Sequence, residues 1–142
     1  MKRTLYVVLV LPFLALVGAW LAGSKLVNPV NHTVTRPVGF EAQDLSIPGV
    51  GHTIAAWWID AGPGTPAILL LHGVRGDRTD MVGRARVLQK HGFSVLLIDL
   101  QGHGETPGDA ITFGYRESRD VTAALAWLKS STGPPRKLGI IG

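Results

Sequence analysis

The sequence predicts an α/β fold: a doubly wound, mostly parallel sheet that begins with an antiparallel strand pair and is preceded by a transmembrane or signal helix. Three observations carry this. From residue 67 onward, short apolar runs alternate with segments of helical periodicity over short connections, the pattern of parallel strands joined by right-handed crossovers. Upstream, two runs of strand composition flank Pro48-Gly49-Val50-Gly51, a turn-rich connection suited to an antiparallel pair. Ahead of both, residues 4–22 hold no charged side chain.

In chain order, Lys2-Arg3 precede the uncharged stretch, which only Thr4, Tyr6, Pro12 and Gly18 interrupt. About 19 residues at about 1.5 Å each give roughly 28 Å, close to the hydrocarbon thickness of a bilayer. The basic pair predicts a cytoplasmic N-terminus and a domain on the extracytoplasmic side. The stretch outruns the about 7–15 apolar residues of a secretory signal, which favours a membrane anchor. Small residues at Val17-Gly18-Ala19 and Ala22-Gly23-Ser24 suit a signal peptidase and keep a cleaved signal, hence a secreted product, as the alternative. Residues 1–23 are thus anchor or signal. Residues 24–38, with Asn, Pro, Thr and His in no sustained period, read as a linker, and residues 39–142 as the domain.

Within the domain, residues 40–47 and 52–59 are the strands of the antiparallel pair, and at least one ring of Trp57-Trp58 is expected to pack against the sheet. Residues 67–71 are almost wholly apolar, as in a strand covered on both faces. Over residues 80–90, Met81, Ala85 and Leu88 form a helical stripe, and Gly92 supplies the left-handed residue that ends it. Residues 94–99 are the next buried strand and 100–112 a polar, Gly-rich loop. A second helix over 114–130 carries the stripe Val121, Ala124, Leu125 and Leu128, with Glu117 and Asp120 near its positive N-terminal end. Gly133-Pro134-Pro135 stops it, and residues 138–141 open a fifth strand.

Composition narrows the function. At 46% hydrophobic and 17% charged residues, the chain suits a globular domain. The net charge of +4 comes from 14 Lys and Arg against 10 Asp and Glu, scattered except for Arg75, Arg78, Arg84, Arg86 and Lys90, which read as a solvated helix face. Without aromatic interleaving or a nucleic-acid motif, no nucleic-acid partner is expected. The absence of cysteine excludes a disulfide, a thiolate zinc site and a Cys nucleophile. His103 and Asp109 lack the helical His pair or the acid cluster of a metal site, so neither metal nor other cofactor is expected.

Ligands of doubly wound sheets bind beyond the carboxyl ends of strands, where His72-Gly73, Asp99 and Gly142 fall. Gly73 permits a sharp turn that leaves the N–H of Val74 free to point into a cleft. One such donor aimed at the oxyanion of a tetrahedral acyl-transfer intermediate is worth about 3–4 kcal/mol of barrier. Val74 is therefore the candidate oxyanion donor, and His72 and Gly73 form the turn that aims it. His72 itself reads as scaffolding, hydrogen-bonded to backbone, and not as a general base. The run His72-Gly73-Val74-Arg75-Gly76 lacks the Gly-Lys-Ser/Thr ending of a phosphate loop.

Three segments then carry a resemblance: Leu70-Leu71-His72-Gly73, Asp99-Leu100-Gln101-Gly102-His103-Gly104-Glu105, and Phe113-Gly114-Tyr115-Arg116-Glu117-Ser118-Arg119-Asp120. Over residues 40–142 the chain resembles the α/β-hydrolase superfamily, in particular membrane-anchored or exported members related to serine aminopeptidases and acyl-thioesterase-like enzymes. The resemblance implies a Gly-x-Ser-x-Gly elbow after the fifth strand, whose strand and first glycine Leu138-Gly139-Ile140-Ile141-Gly142 match. It places the serine two residues past Gly142 and the acid and histidine later still, so nucleophile, acid and histidine of the triad are all absent from these 142 residues. By the same chain order Asp99 is a structural hydrogen-bonding residue, not the triad acid.

The implied function is the N-terminal portion of a serine hydrolase cleaving esters, thioesters or amides through an acyl-enzyme. Its partners are a small-molecule acyl substrate and the membrane through residues 4–22, and the chain alone is expected to be inactive. The alternative is a non-catalytic, membrane-tethered hydrolase-like binding module. A central strand left as an open apolar edge at Ile141-Gly142 weighs against that. Mass spectrometry of the mature N-terminus separates anchor from signal: an intact start is expected, whereas a start near Trp20 or Lys25 identifies a cleaved signal.

Overall fold

Successive side chains of a β-strand point to opposite faces, and the adjacent Trp57 and Trp58 use both. The computed structural model, which describes residues 2–131 and 137–142, packs Trp57 with Leu70, Val95 and Leu97 on one face. It packs Trp58 with Leu69, Leu96 and Ile98 on the other. These residues lie on β3 (Thr53–Ile59), β4 (Ala67–Leu71) and β5 (Ser94–Ile98), with β2 (Gln43–Pro48) and β7 (Leu138–Ile141) at the edges. The strand order is β2-β3-β5-β4-β7. The β2–β3 and β3–β5 pairs are antiparallel, and β4 is parallel to both β5 and β7.

Because β5 and β7 lie on opposite sides of β4, the two crossover helices cover opposite faces of the sheet. A 3₁₀ turn (Arg78–Met81) and helix α2 (Val82–Lys90) place Met81, Val82 and Ala85 on the Trp57 face. Helix α3 (Glu117–Ser131) places Ala124 and Leu128 on the Trp58 face. Full burial of an apolar side chain of this size stabilises by about 1.5–3 kcal/mol, so these stripes hold the helices more than intrinsic propensity does. The sheet is doubly wound, as the sequence predicts, and its strand order reverses at β4.

Several boundaries differ from the sequence reading for identifiable reasons. The first helical segment starts as a 3₁₀ turn whose N-cap Asp77 accepts a hydrogen bond from Thr79 N at 2.7 Å. It ends as expected at Gly92, with φ of 78°. Helix α3 starts at Glu117 and not at 114, because Phe113 and Gly114 are both left-handed, with φ of 52° and 102°. The Gly133-Pro134-Pro135 stop lies outside the described residues.

Residues 24–38 also depart from expectation. Helix α1 (Lys2–Val27) runs past the predicted boundary and stops where Pro29 disfavours helical backbone at Asn28. Its residues 10–27, apolar apart from Ser24 and Lys25 and unburied by the domain, are long and apolar enough to cross a membrane. The chain that follows is not a free linker. Strand β1 (Val30–Asn31) pairs in parallel with β6 (His103–Gly104), inside the segment read as an irregular loop. Asn31 Nδ2 donates to Thr106 O at 2.6 Å, and Val34 N donates to Glu105 Oε1 at 3.2 Å. Residues 28–34 thus form a strap bonded across the Gly-rich loop.

One charge also moves inward. Arg84, Arg86 and Lys90 are exposed as expected of a solvated face, but Arg78 is only 3% exposed. The inward turn at Asp77 aims it at Asp99, which is 0% exposed. Asp99 accepts from Arg78 N at 2.8 Å, from the Arg78 guanidinium, and from Glu105 N at 2.9 Å. The guanidinium also pairs with Glu105 and lies 4.5 Å from the Trp57 ring centroid. Breaking a buried pair strands its partner's charge, so Asp99→Ala is expected to cost about 3–5 kcal/mol. Urea unfolding of the detergent-solubilised chain measures this; a loss below about 1 kcal/mol contradicts the role.

Candidate active site

The carboxyl end of β4 is where the strand order reverses, the position at which doubly wound sheets open a crevice. Gly76 N donates to Gly73 O at 3.1 Å and closes a four-residue turn there. Arg75 takes the left-handed position of that turn, with φ of 65°. Val74 precedes it, and among the described residues its N–H has no hydrogen-bond partner.

His72 is a clamp. Leu100 N can only donate, and it lies 3.0 Å from Nε2, so Nδ1 carries the proton and donates to Gly73 O at 2.8 Å. The ring therefore ties the end of β4 to the residue that follows β5. Burial pushes the His72 pKa below the ordinary histidine value, which keeps this tautomer neutral. Asp99 sits beside it in the structural role expected of it, engaged by Arg78 and Glu105.

His72, Gly73 and Val74 form one side of a cavity of about 140 Å³, which Leu100, His103, Ile111, Phe113, Gly114 and Glu117 complete. Ligand pockets commonly reach about 300–1,000 Å³, so this cleft suits the reacting end of a ligand more than a whole one. A concavity of about 490 Å³ beside Arg36, Asp44 and Trp57 is larger, but it lies away from the end of β4. Position in the fold, not size, decides between them.

The far wall is held by Glu117. Its carboxylate accepts from Thr112 N at 2.7 Å, Thr112 Oγ1 at 2.5 Å and Gly114 N at 2.9 Å. Burial alone pushes Glu117 up, but these bonds outweigh it and hold the group below the usual carboxylate range. They fix Phe113 in a left-handed conformation that costs a non-glycine residue about 1–2 kcal/mol. His103 is buried, with its ring 4.9 Å from that of His72 and Nδ1 3.0 Å from Gln101 O. Asp109 is exposed and does not line this cleft.

His72, Gly73 and Val74 thus line one side of the cleft, and residues 100–117 add a wall that sequence reasoning did not place there. The spacing of Thr112, Gly114 and Glu117, a turn closed by a downstream carboxylate, is the signal available for it. Neither Ser94 nor Ser118 is poised as a nucleophile. Ser94 Oγ bonds Thr65 Oγ1 at 2.7 Å, and Ser118 Oγ donates to Tyr115 O at 3.1 Å.

This architecture has close counterparts. The esterase Pf2001 of Pyrococcus furiosus superposes with a TM-score of 0.71 at 30% identity, over 83% of this chain and 47% of the esterase. The mouse sn-1-specific diacylglycerol lipase ABHD11 is 31% identical over 105 residues. The chain belongs to the α/β-hydrolase superfamily. An uncharacterized protein of Mycobacterium tuberculosis H37Rv is 34% identical to this α/β-hydrolase over 105 residues, which is 71% of the chain. The matched region spans about a third of the length of these curated relatives, 34% of the mycobacterial protein and 33% of the mouse lipase. No protein-family model matches.

Two histidines of this α/β-hydrolase give opposite pH signatures. His72 is held below its ordinary value by burial, so its stabilising contribution is present above about pH 6.5 and is lost as pH falls through its folded pKa. His32 is raised by its bonds to Val30 O and Asp77, so its contribution is present below about pH 6.5 and is lost as pH rises through its folded pKa. Urea midpoints between about pH 5.5 and 7.5 check this. His72→Gln is expected to make the slope of stability against pH more negative and His32→Gln more positive; shifts in the same direction contradict the assignment.

Proposed function

We propose that the turn at residues 72–76 is the oxyanion hole of a serine hydrolase that moves acyl groups from esters, thioesters or amides to water through an acyl-enzyme. The observation that carries this is the unpaired Val74 N–H at the point of strand reversal, beside a largely apolar cleft. A donor preorganised in this way stabilises charge that develops only in the transition state, so it lowers the barrier without tightening substrate binding. The His72 bonds keep the turn from relaxing when the oxyanion forms.

The parallel strand β7 supports the same reading. Gly142 abuts the end of β4, where an added Cβ would lie 3.5 Å from Leu71 Cβ. A serine two residues further on, where the family carries its nucleophile, starts from the same end of the sheet as Val74. Its attack on a carbonyl held at the turn sends the oxygen's growing charge toward the Val74 N–H, and the residue after the serine supplies the second donor. The esterase and the lipase named above act on esters, which agrees with the acyl chemistry proposed here. In the same reading α1 is an anchor that holds the domain on the extracytoplasmic side of a membrane.

A fluorophosphonate probe tests this. The 142 residues alone are expected to stay unlabelled; labelling of them sinks the argument. Where these residues run on into x-Ser-x-Gly, the label is expected on that serine. There Val74→Pro, which deletes the N–H, is expected to lower kcat by about 10²–10³ with KM little changed. Val74→Ala keeps the N–H and is expected to leave kcat nearly unaltered.

A further inference from the structure

We propose that the cleft opens into the headgroup layer of the membrane and takes a membrane-resident acyl ester from the leaflet that holds the C-terminal half of α1. This deepens the function proposed above and rests on it, and on α1 being retained as an anchor.

The first observation is that both walls of the cleft are bonded to the last three residues of that helix. Ile111 lines the cleft, and its N–H donates to Val27 O at 2.8 Å. Arg75, adjacent to Val74 on the opposite wall, donates from Nη1 to Lys25 O at 3.0 Å. The strap continues this attachment, with Val30 N donating to Gly102 O at 2.7 Å and His32 N to Gly104 O at 2.8 Å. The domain does not swing on a tether, so the depth of α1 in a membrane sets the depth of the cleft.

That depth follows from the helix rise. The apolar stretch ends at Ala22, and after Gly23 and Ser24 the first charge is Lys25. Five further residues, from Ala22 to Val27, advance about 7–8 Å along the axis. The headgroup layer on each side of a bilayer is about 5–8 Å thick. A helix that buries residues 4–22 in hydrocarbon therefore brings Val27, and Ile111 bonded to it, to the outer part of the headgroup layer. The ester bonds of membrane lipids lie at the boundary between these two regions.

The rim has the matching chemistry. Val74 and Phe113, which line the cleft, are 56% and 59% exposed. The left-handed backbone at Phe113 leaves its ring exposed instead of in the core. An exposed aromatic side chain beside an anchored helix suits the membrane–water interface, where its apolar body leaves water. An acyl chain entering the cleft meets Val74, Leu100, Ile111 and Phe113 beside the Val74 N–H.

The test uses the full chain in phosphatidylcholine vesicles. It has no cysteine, so a bimane label on Phe113→Cys is unique; Val74→Cys repeats the measurement, and Val87→Cys, at an exposed position on α2, is the control. Quenching by lipids with headgroup nitroxides is expected to be severalfold stronger at 113 and 74 than at 87. Equal quenching at all three overturns the proposal. A phosphatidylcholine with a diazirine near its acyl carbonyl is expected to cross-link residues 73–76 and 111–114. Cross-links confined to α1, or a mature N-terminus that lacks α1, overturn it. Neither readout depends on catalysis. Cross-links in the cleft without fluorophosphonate labelling of a downstream serine support the lipid entrance and remove only the acyl-enzyme reading; labelling without cross-links removes only the entrance.

Discussion

The buried pair of Arg78 with Asp99 ties together the segments around the carboxyl end of the sheet. Asp99 follows β5, Arg78 opens the turn into α2, Glu105 belongs to the Gly-rich loop, and Val34, which bonds Glu105, belongs to the strap. Desolvating two charges is costly, and such a pair persists only where further hydrogen bonds satisfy the remaining lone pairs. Here Arg78 N and Glu105 N do so, and the guanidinium rests on Trp57. The pair holds four segments that the apolar core touches only in part. Gly104 has to be glycine for this packing, because a Cβ there would fall 2.2 Å from Asp99 Oδ2.

The cleft depends on this arrangement without containing it. The Gly-rich loop held by Asp99 carries Leu100 and His103 to one side of the cavity, and β4 delivers His72, Gly73 and Val74 to the other. His72 joins the two by bonding Leu100 N and Gly73 O. A histidine at the mouth of a cleft invites a catalytic assignment. With both ring nitrogens occupied by backbone and burial keeping it neutral, this one positions the turn instead. On the opposite face, Asp120 accepts from His52 Nε2 at 2.8 Å and from Gln101 N at 2.8 Å, which fixes the loop against α3 and the β2–β3 turn. Burial raises the Asp120 pKa, and the bonds from Gln101 N and His52 offset that desolvation only in part.

The strap makes α1 part of the domain's hydrogen-bond scheme. Backbone groups of residues 28–34 find partners in the Gly-rich loop, where otherwise only water would satisfy them. The His32–Asp77 contact at 2.9 Å adds a second tie, from the strap to the N-cap that sets Arg78. Helix α1, the turn at residues 72–76 and the buried ion pair therefore form one connected network, and a change of geometry at the helix end reaches the cleft through only a few bonds.

Much of this was legible in the residues themselves. The apolar runs at 67–71 and 94–98, the stripes of α2 and α3, the left-handed Gly92 and the turn at His72-Gly73 all follow from local periodicity and turn chemistry, which belong to a segment alone. So did the structural role of Asp99 and the burial of tryptophan on the sheet. What only the tertiary structure decided was which of several similar arginines turns inward, that residues 28–34 form a strap, and that residues 111–117 wall the cleft. The first two depend on partners far along the chain, as in Arg78 with Asp99 or Asn31 with Thr106, and the third on which segment the locally bonded turn at 112–117 faces. Such a pairing leaves no periodic trace in either segment, because a hydrogen bond constrains two points in space and not the residues between them.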